Sequence, residues 1–179
     1  MLKVYVRDGE PEITEVFEEF PNEVTVALNI SNCIGMCEEC SEPWLREDSG
    51  RELTDEFIQE ILDEHQDCTV FGLMGGDSDH EDVKRIADYV HKHSNMKVGI
   101  YSGLEYLDLD LVPYIDLYKI GRWIPPKGKV AEWWKTNCGP LVFPFSNQLL
   151  FEKIGNKLVN GTSLFRKNPL NDLERYIIK

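Results

Sequence analysis

The chain has 179 residues, 42% of them hydrophobic and 28% charged, with a formal net charge of −13. That length suffices for one domain whose core needs no disulfide staples, and the charge argues against a nucleic-acid partner, because no basic run is present to neutralise phosphates. The opening MLKVYVRDGE turns polar within a few residues and no apolar run approaches the ~20 residues that cross a bilayer, so neither a secretory leader nor a membrane partner is expected, and a reducing cytoplasm is the default setting.

The first expected strand is EVTVALNI (residues 23–30). The loop SNCIGMCEECSEPW follows, with Cys33, Cys37 and Cys40, three of the five cysteines in the chain. Thr54 is placed to cap a helix with acidic residues in its first turn. The run TVFGLM (residues 69–74) reads as a strand covered on both faces. Ser78 and Glu81 have capping-box spacing and lead into Val83, Ile86, Ala87 and Val90, an apolar helix stripe that belongs to the core. MKVGIY (residues 96–101) and IDLYKI (residues 115–120) complete four strands, while residues 124–145, rich in Pro, Gly and Trp, look irregular.

Strands alternating with helices imply right-handed crossovers and a mainly parallel α/β sheet. Such sheets carry their chemistry at the carboxyl ends of the strands. The unusual residues fall there: Cys33 after the first strand, Gly75-Gly76-Asp77 after the second, Tyr101-Ser102-Gly103 at the third and Gly121-Arg122 after the fourth.

Cysteines at i, i+4 and i+7 match one face of a helix, but the outer two would then lie ~10 Å apart along its axis. Gly35 and the preceding Ser-Asn favour a wrapped loop instead. Three inert thiols in one loop would be an oxidation hazard without packing benefit. A redox dithiol from Cys37 and Cys40 leaves Cys33 unexplained. Structural zinc needs a fourth ligand, for which His65, Cys68 and Cys138 are available, none at a finger-like spacing and Cys68 at the amino end of its strand. A [4Fe–4S] cluster held by three thiolates would leave one iron open to a substrate or cofactor.

CxxxCxxC after a first strand and a Gly-Gly-acid turn after the second resemble the radical S-adenosylmethionine superfamily. The segment from Cys40 through Trp44 to Thr54, then Met74 to Asp77, Tyr101 to Gly103, residues 115–121 and Ser146-Asn147-Gln148 resemble, in order, the activating proteins of anaerobic ribonucleoside-triphosphate reductase. The likeness spans about residues 22–155 of a single domain over 1–179, with 156–179 as a C-terminal extension that packs or meets a partner. It implies a partial, open (β/α) barrel. It further implies that Cys33, Cys37 and Cys40 hold [4Fe–4S] and that the open iron chelates the amino and carboxylate groups of S-adenosyl-L-methionine. One-electron cleavage then gives methionine and a 5′-deoxyadenosyl radical, which takes hydrogen from a glycine of the reductase. Gly75, Gly76 and Asp77 match the turn that receives the methionine amino group, and Tyr101 and Ser102 are candidates to line the adenosine pocket. The partners implied are the glycyl-radical subunit of the reductase and a low-potential electron donor such as flavodoxin or ferredoxin. Two alternatives are a radical enzyme acting on another glycyl-radical protein or a small molecule, and a zinc-binding adaptor without catalysis.

The chain departs from the family pattern in three places. The stretch before the cysteine loop lacks the glycine-rich segment of many members, Ser78 stands where the turn usually has proline, which suits a helix cap, and Glu39 stands where an aromatic or small residue is usual, so an adenine contact is not expected from that position. Glu38, Glu39, Glu42, Glu47 and Asp48 crowd the loop, and negative charge there is expected to lower the cluster potential and attract the sulfonium. Trp123, Trp133 and Trp134 are candidates for a docking surface. His65, His80, His91 and His93 read as surface residues without chemistry.

Overall fold

The computed structural model describes residues 1–17, 19–35, 37, 40–122 and 148–162. In chain order its elements are β1 (Lys3–Val4), β2 (Val6–Arg7), β3 (Glu10–Pro11), β4 (Ile13–Phe17), β5 (Val24–Asn29), a 3-10 turn (Pro43–Arg46), β6 (Arg51–Glu52), α1 (Asp55–Glu64), β7 (Val70–Met74), α2 (His80–His93), β8 (Lys97–Ser102), β9 (Leu117–Ile120), β10 (Leu149–Ile154) and β11 (Lys157–Asn160). Seven strands form one sheet in the order β11-β10-β9-β8-β7-β5-β4. The four strands read from the sequence are its centre, β5-β7-β8-β9, and they are parallel. Antiparallel strands flank them: β4 on β5, and the β10–β11 hairpin on β9. β11 carries the sheet to Asn160, beyond residue 155 where the family likeness ends.

The parallel strands are laid down in spatial order, each new one beside the last. Successive right-handed crossovers in one direction put their helices on the same face. Val26 and Leu28 of β5, Phe71 and Leu73 of β7, and Val98 and Ile100 of β8 meet Phe57, Ile58 and Ile61 of α1 and Val83, Ile86 and Val90 of α2 in one core. Each fully buried aliphatic or aromatic side chain there contributes about 1.5–3 kcal/mol. The crossover from β8 to β9 runs through turns that lend Leu111 and Ile115 to the same core. The opposite face carries a smaller cluster of Phe20, Val70, Leu117 and Leu150, with Tyr101 against it. No described helix is long and apolar enough to cross a membrane.

Thr54 caps α1 as its sequence implies, its hydroxyl accepting from Phe57 N at 3.3 Å. The cap of α2 is a correction: Asp79, not Ser78, occupies that position, with Oδ1 accepting from Asp82 N at 3.0 Å. A carboxylate makes a charge-assisted bond that a hydroxyl cannot match, and Asp79 also pairs with the Met1 ammonium at 3.1 Å.

Candidate functional site at the carboxyl end of the sheet

The register of the parallel strands aligns Asn29, Met74, Tyr101 and Lys119 side by side across β5, β7, β8 and β9. The loops that leave this row bring the candidate residues together. Ile30 N donates to Met74 O at 3.3 Å, Cys33 N to Leu45 O at 2.8 Å and Asn32 N to Glu47 O at 2.9 Å, so the cysteine loop is tied at its start to the chain that returns from it. Asn32 makes the turn at φ +60°. Arg46 holds the far side by donating to the Cys37 carbonyl at 3.2 Å. The described residues from Cys33 to Cys40 are not helical, in keeping with a wrapped loop.

Cys33, Cys37 and Cys40 are all half-buried free thiols. A Cβ on Gly35 would stand 3.3 Å from Cys33 Sγ and 3.9 Å from Cys37 Sγ, so two of the sulfurs close over a residue that has no side chain. Gly35 in turn backs onto Gly103, where a Cβ would lie 3.7 Å from both Gly35 Cα and Asp77 Oδ2. Burial pushes the Cys33 thiol up; the Gly35 backbone N–H opposes this, and negative charge at Asp77, Cys37 and Cys40 adds to it. A positive centre among these groups would reverse that balance.

The turn after β7 needs both its glycines. Gly75 sits at φ +128° and Gly76 at φ +110°, and a Cβ on Gly76 would come within 3.0 Å of Val83 Cγ2. The turn delivers Asp77, whose side chain is 7% exposed. Its Oδ2 accepts from Gly103 N at 2.8 Å while its Oδ1 has no partner. His80 Nε2 is 3.9 Å from that oxygen, too far for a hydrogen bond, and is itself unpartnered. The other ring nitrogen, Nδ1, is fixed at 2.6 Å from Asp108 Oδ2. The Asp110 backbone N–H, with His80 adding to it, holds the Asp108 carboxyl below the usual carboxylate range. His80 is therefore part of this site, not the plain surface residue its helix position suggested. The signal that would have found it is its place three residues after Asp77, at the first residue of α2.

Among the described residues, six buried side-chain polar atoms lack a hydrogen-bond partner. Four of them, on Ser31, Trp44, Asp77 and His80, belong to the loops and helix start at this end of the sheet. Unpaired buried polar groups are costly, so four of them at one end of the sheet single that end out as the candidate binding end.

Tyr101 and Ser102 have their hydroxyls engaged within the protein. Tyr101 donates to Glu19 O at 3.0 Å, receives Lys119 Nζ at 2.5 Å and packs edge-on against Phe20 at 5.4 Å. Ser102 Oγ accepts from Leu104 N at 3.1 Å. Burial drives the Tyr101 hydroxyl pKa up and the Lys119 pKa down. Gln148 donates to Gly121 O at 2.8 Å, which joins the fourth strand's end to the chain entering β10.

Of the acidic residues near the loop, Asp48 pairs with Lys3 at 2.9 Å. Burial and then Glu12 push the Glu42 carboxyl up, with Arg7 opposing. Glu38, Glu39, Trp123, Trp133, Trp134, Cys138, Ser146, Asn147 and residues 163–179 lie outside the described residues.

Two of the cysteine loop's candidate fourth ligands are displaced by the fold. His65 and Cys68 precede β7, whereas the loop follows the carboxyl end of the parallel neighbour β5. The five residues of β7 separate them by roughly 17 Å at 3.3 Å per residue. His65 is also no bare surface residue, since its Nδ1 lies 2.6 Å from Glu15 Oε1. Comparison with protein-family models, curated proteins and solved structures returns no match to this chain.

Proposed function

We propose that this protein is a radical S-adenosylmethionine activase that generates the glycyl radical of anaerobic ribonucleoside-triphosphate reductase. The observation that carries the reading is the convergence of the cysteine loop with the Gly75-Gly76-Asp77 turn, sealed at Gly35 and Gly103, amid four unpaired buried polar atoms. The sheet supports it as well. Parallel strands added in order, with helices on one face, are compatible with the winding of a (β/α) barrel, which this reading takes as partial and open. An open inner face suits a substrate that is a loop of another protein. The reading keeps one domain over 1–179, a cytoplasmic setting and a flavodoxin or ferredoxin as electron donor.

The residues present fit the implied group. The donor set is sulfur alone: Cys33, Cys37 and Cys40 are three half-buried thiols on one loop, the ligand type that holds an iron–sulfur cluster. Cys33, Cys37 and Cys40 would hold it, and the bound cluster would supply the electron for reductive cleavage of S-adenosyl-L-methionine. Asp77 presents Oδ1 to the methionine ammonium while the Gly103 N–H fixes Oδ2, so the carboxylate is oriented before the cofactor arrives. The absence of side chains at Gly75 and Gly76 lets the backbone approach the ligand. Asp108 fixes the His80 ring at Nδ1, which leaves Nε2 on the Asp77 side of the site, 3.9 Å from Oδ1. Tyr101 is a wall, not a donor, because its hydroxyl is already used.

Anaerobic purification followed by reduction and mixing with S-adenosylmethionine and the reductase tests the reading by electron paramagnetic resonance. A glycyl-radical doublet on the reductase is the expected result. Deoxyadenosine release without that doublet assigns another substrate, either a different glycyl-radical protein or a small molecule. Zinc with neither iron nor sulfide, in a colourless protein, overturns the cluster and leaves the adaptor reading.

A further inference from the structure

At the opposite end of the sheet, three side chains of different metal-binding types meet. Among the described residues, Glu15, His65 and Cys68 are the group of three whose ligand atoms all lie within 4.8 Å of one another. They come from separate elements: Glu15 from the edge strand β4, His65 from the residue that ends α1, and Cys68 from the approach to β7. The Cys68 N–H donates to His65 O at 3.0 Å, so the backbone between them is a tight turn that sets both side chains toward β4. His-x-x-Cys forms a short local chelate, and Glu15, 50 residues away from His65, closes it.

Two features favour a cation over an internal hydrogen-bond set. First, Glu15 contacts both partners, placing a carboxylate against an almost fully buried thiol, 5% exposed. A catalytic Cys–His pair would put the imidazole between the thiol and the carboxylate; here the carboxylate is in the middle, which suits shared coordination. Secondly, the Glu15 side chain is 50% exposed while Cys68 is buried, so a fourth coordination position on the Glu15 side opens to water.

We propose that Glu15, His65 and Cys68 form a second metal site, for a zinc-class divalent ion, with a water molecule in the fourth position on the exposed Glu15 side. One nitrogen, one sulfur and one oxygen ligand are the donor types that zinc takes, and three protein ligands plus water is the pattern of an open zinc site. On binding, the Cys68 thiol releases its proton to solvent and its sulfur takes the metal, with no change of oxidation state. The ion ties β4, which contributes an exposed Phe17 to the sheet's edge, to the helix layer through α1. The two residues considered as a fourth ligand for the cysteine loop thereby acquire a site of their own.

The test uses the full-length chain with Cys33, Cys37 and Cys40 all replaced by alanine, titrated anaerobically with Co²⁺. One equivalent should bind and give a thiolate-to-cobalt charge-transfer band. Cys68→Ser should abolish that band, and His65→Gln and Glu15→Gln should each weaken binding by at least about tenfold. Cys138→Ala should leave it intact. No band, or a band that survives Cys68→Ser, overturns the proposal. Should the triple variant not fold, the zinc content of the otherwise native chain decides: about one zinc per chain, lost in Glu15→Gln and His65→Gln, supports the site, and zinc content indifferent to both overturns it.

Discussion

The two ends of the parallel sheet handle polar groups in opposite ways. At the amino end most described ones are matched within the protein, the buried Thr25 hydroxyl excepted. Thr69 both donates to and accepts from the Val24 backbone, Lys97 bridges Glu23 at 2.6 Å and Glu152 at 3.1 Å, and Asp116 accepts from Val98 N at 2.9 Å with His91 Nε2 at 2.7 Å. At the carboxyl end, Ser31, Trp44, Asp77 and His80 keep buried atoms without partners, and the turn between β7 and α2 runs through two left-handed glycines. An end that satisfies itself contributes stability, whereas one that leaves groups open is arranged for something that binds. The same strands serve both, and only the direction in which the chain leaves them differs.

The comparison breaks most sharply at the cysteine loop. Replacing any one of Cys33, Cys37 or Cys40 with alanine should remove the iron and all S-adenosylmethionine cleavage, while the far-ultraviolet spectrum and the denaturant midpoint change little. Iron and sulfide analysis beside circular dichroism checks both halves. A collapse of the fold would mean that the loop is structural and that the two ends do not divide the work. Next in size is Gly76→Ala, which places a Cβ at φ +110° and 3.0 Å from Val83. A loss of about 1–3 kcal/mol is expected, read as a lower urea midpoint at unchanged slope.

Much of this division is legible in the sequence, because strand direction follows from the alternation of elements and the loops then sort themselves to one end. The four central strands and the Thr54 cap are visible in local pattern alone. The flanking strands are not. Ile13–Phe17 reads ITEVF, a short mixed run whose pairing partner is chosen by β5. The meeting of Glu15 with His65 and Cys68 depends on that pairing, so no local spacing announces it. His80 was misread for a related reason: its helix position faces outward by periodicity, and only the fold brings Asp77 of the β7–α2 turn and Asp108 of the β8–β9 connection around it.

The amino end can be probed with acid. His91 and the Val98 N–H hold the Asp116 carboxyl below its ordinary value despite opposing burial. A carboxylate with a depressed folded pKa contributes stability that is full above its unfolded pKa, near 3.9, and is lost as pH falls through the folded one. Asp116→Asn should therefore cost about 1 kcal/mol near neutrality and flatten the acid limb of the stability curve below about pH 4. Thermal melts of both proteins from neutral to acid pH check this. An unchanged acid limb would mean that matched groups at this end contribute no more than the open ones do at the other.

The smallest effect concerns the residue at which the carboxyl end hands over to the helix layer. Ser78 and Asp79 are both cap-type residues one position apart, and the spacing to Glu81 favours Ser78. In the structure Asp79 accepts from Asp82 N, and this bond is the main reason its carboxyl lies low, with the Met1 ammonium adding to it. Asp79→Ala should cost about 1 kcal/mol, the usual loss for an N-cap, and lower the melting temperature by about 2–4 °C for a chain of this size. Ser78→Ala should stay within about 0.5 kcal/mol. The partly exposed Met1 pair adds little of this, so acetylating the N-terminus should reproduce only a small part of the Asp79→Ala loss. If Ser78→Ala proves the costlier change, the helix begins a residue earlier. The backbone that aims Asp77 at the cysteine loop would then have to be redrawn with it.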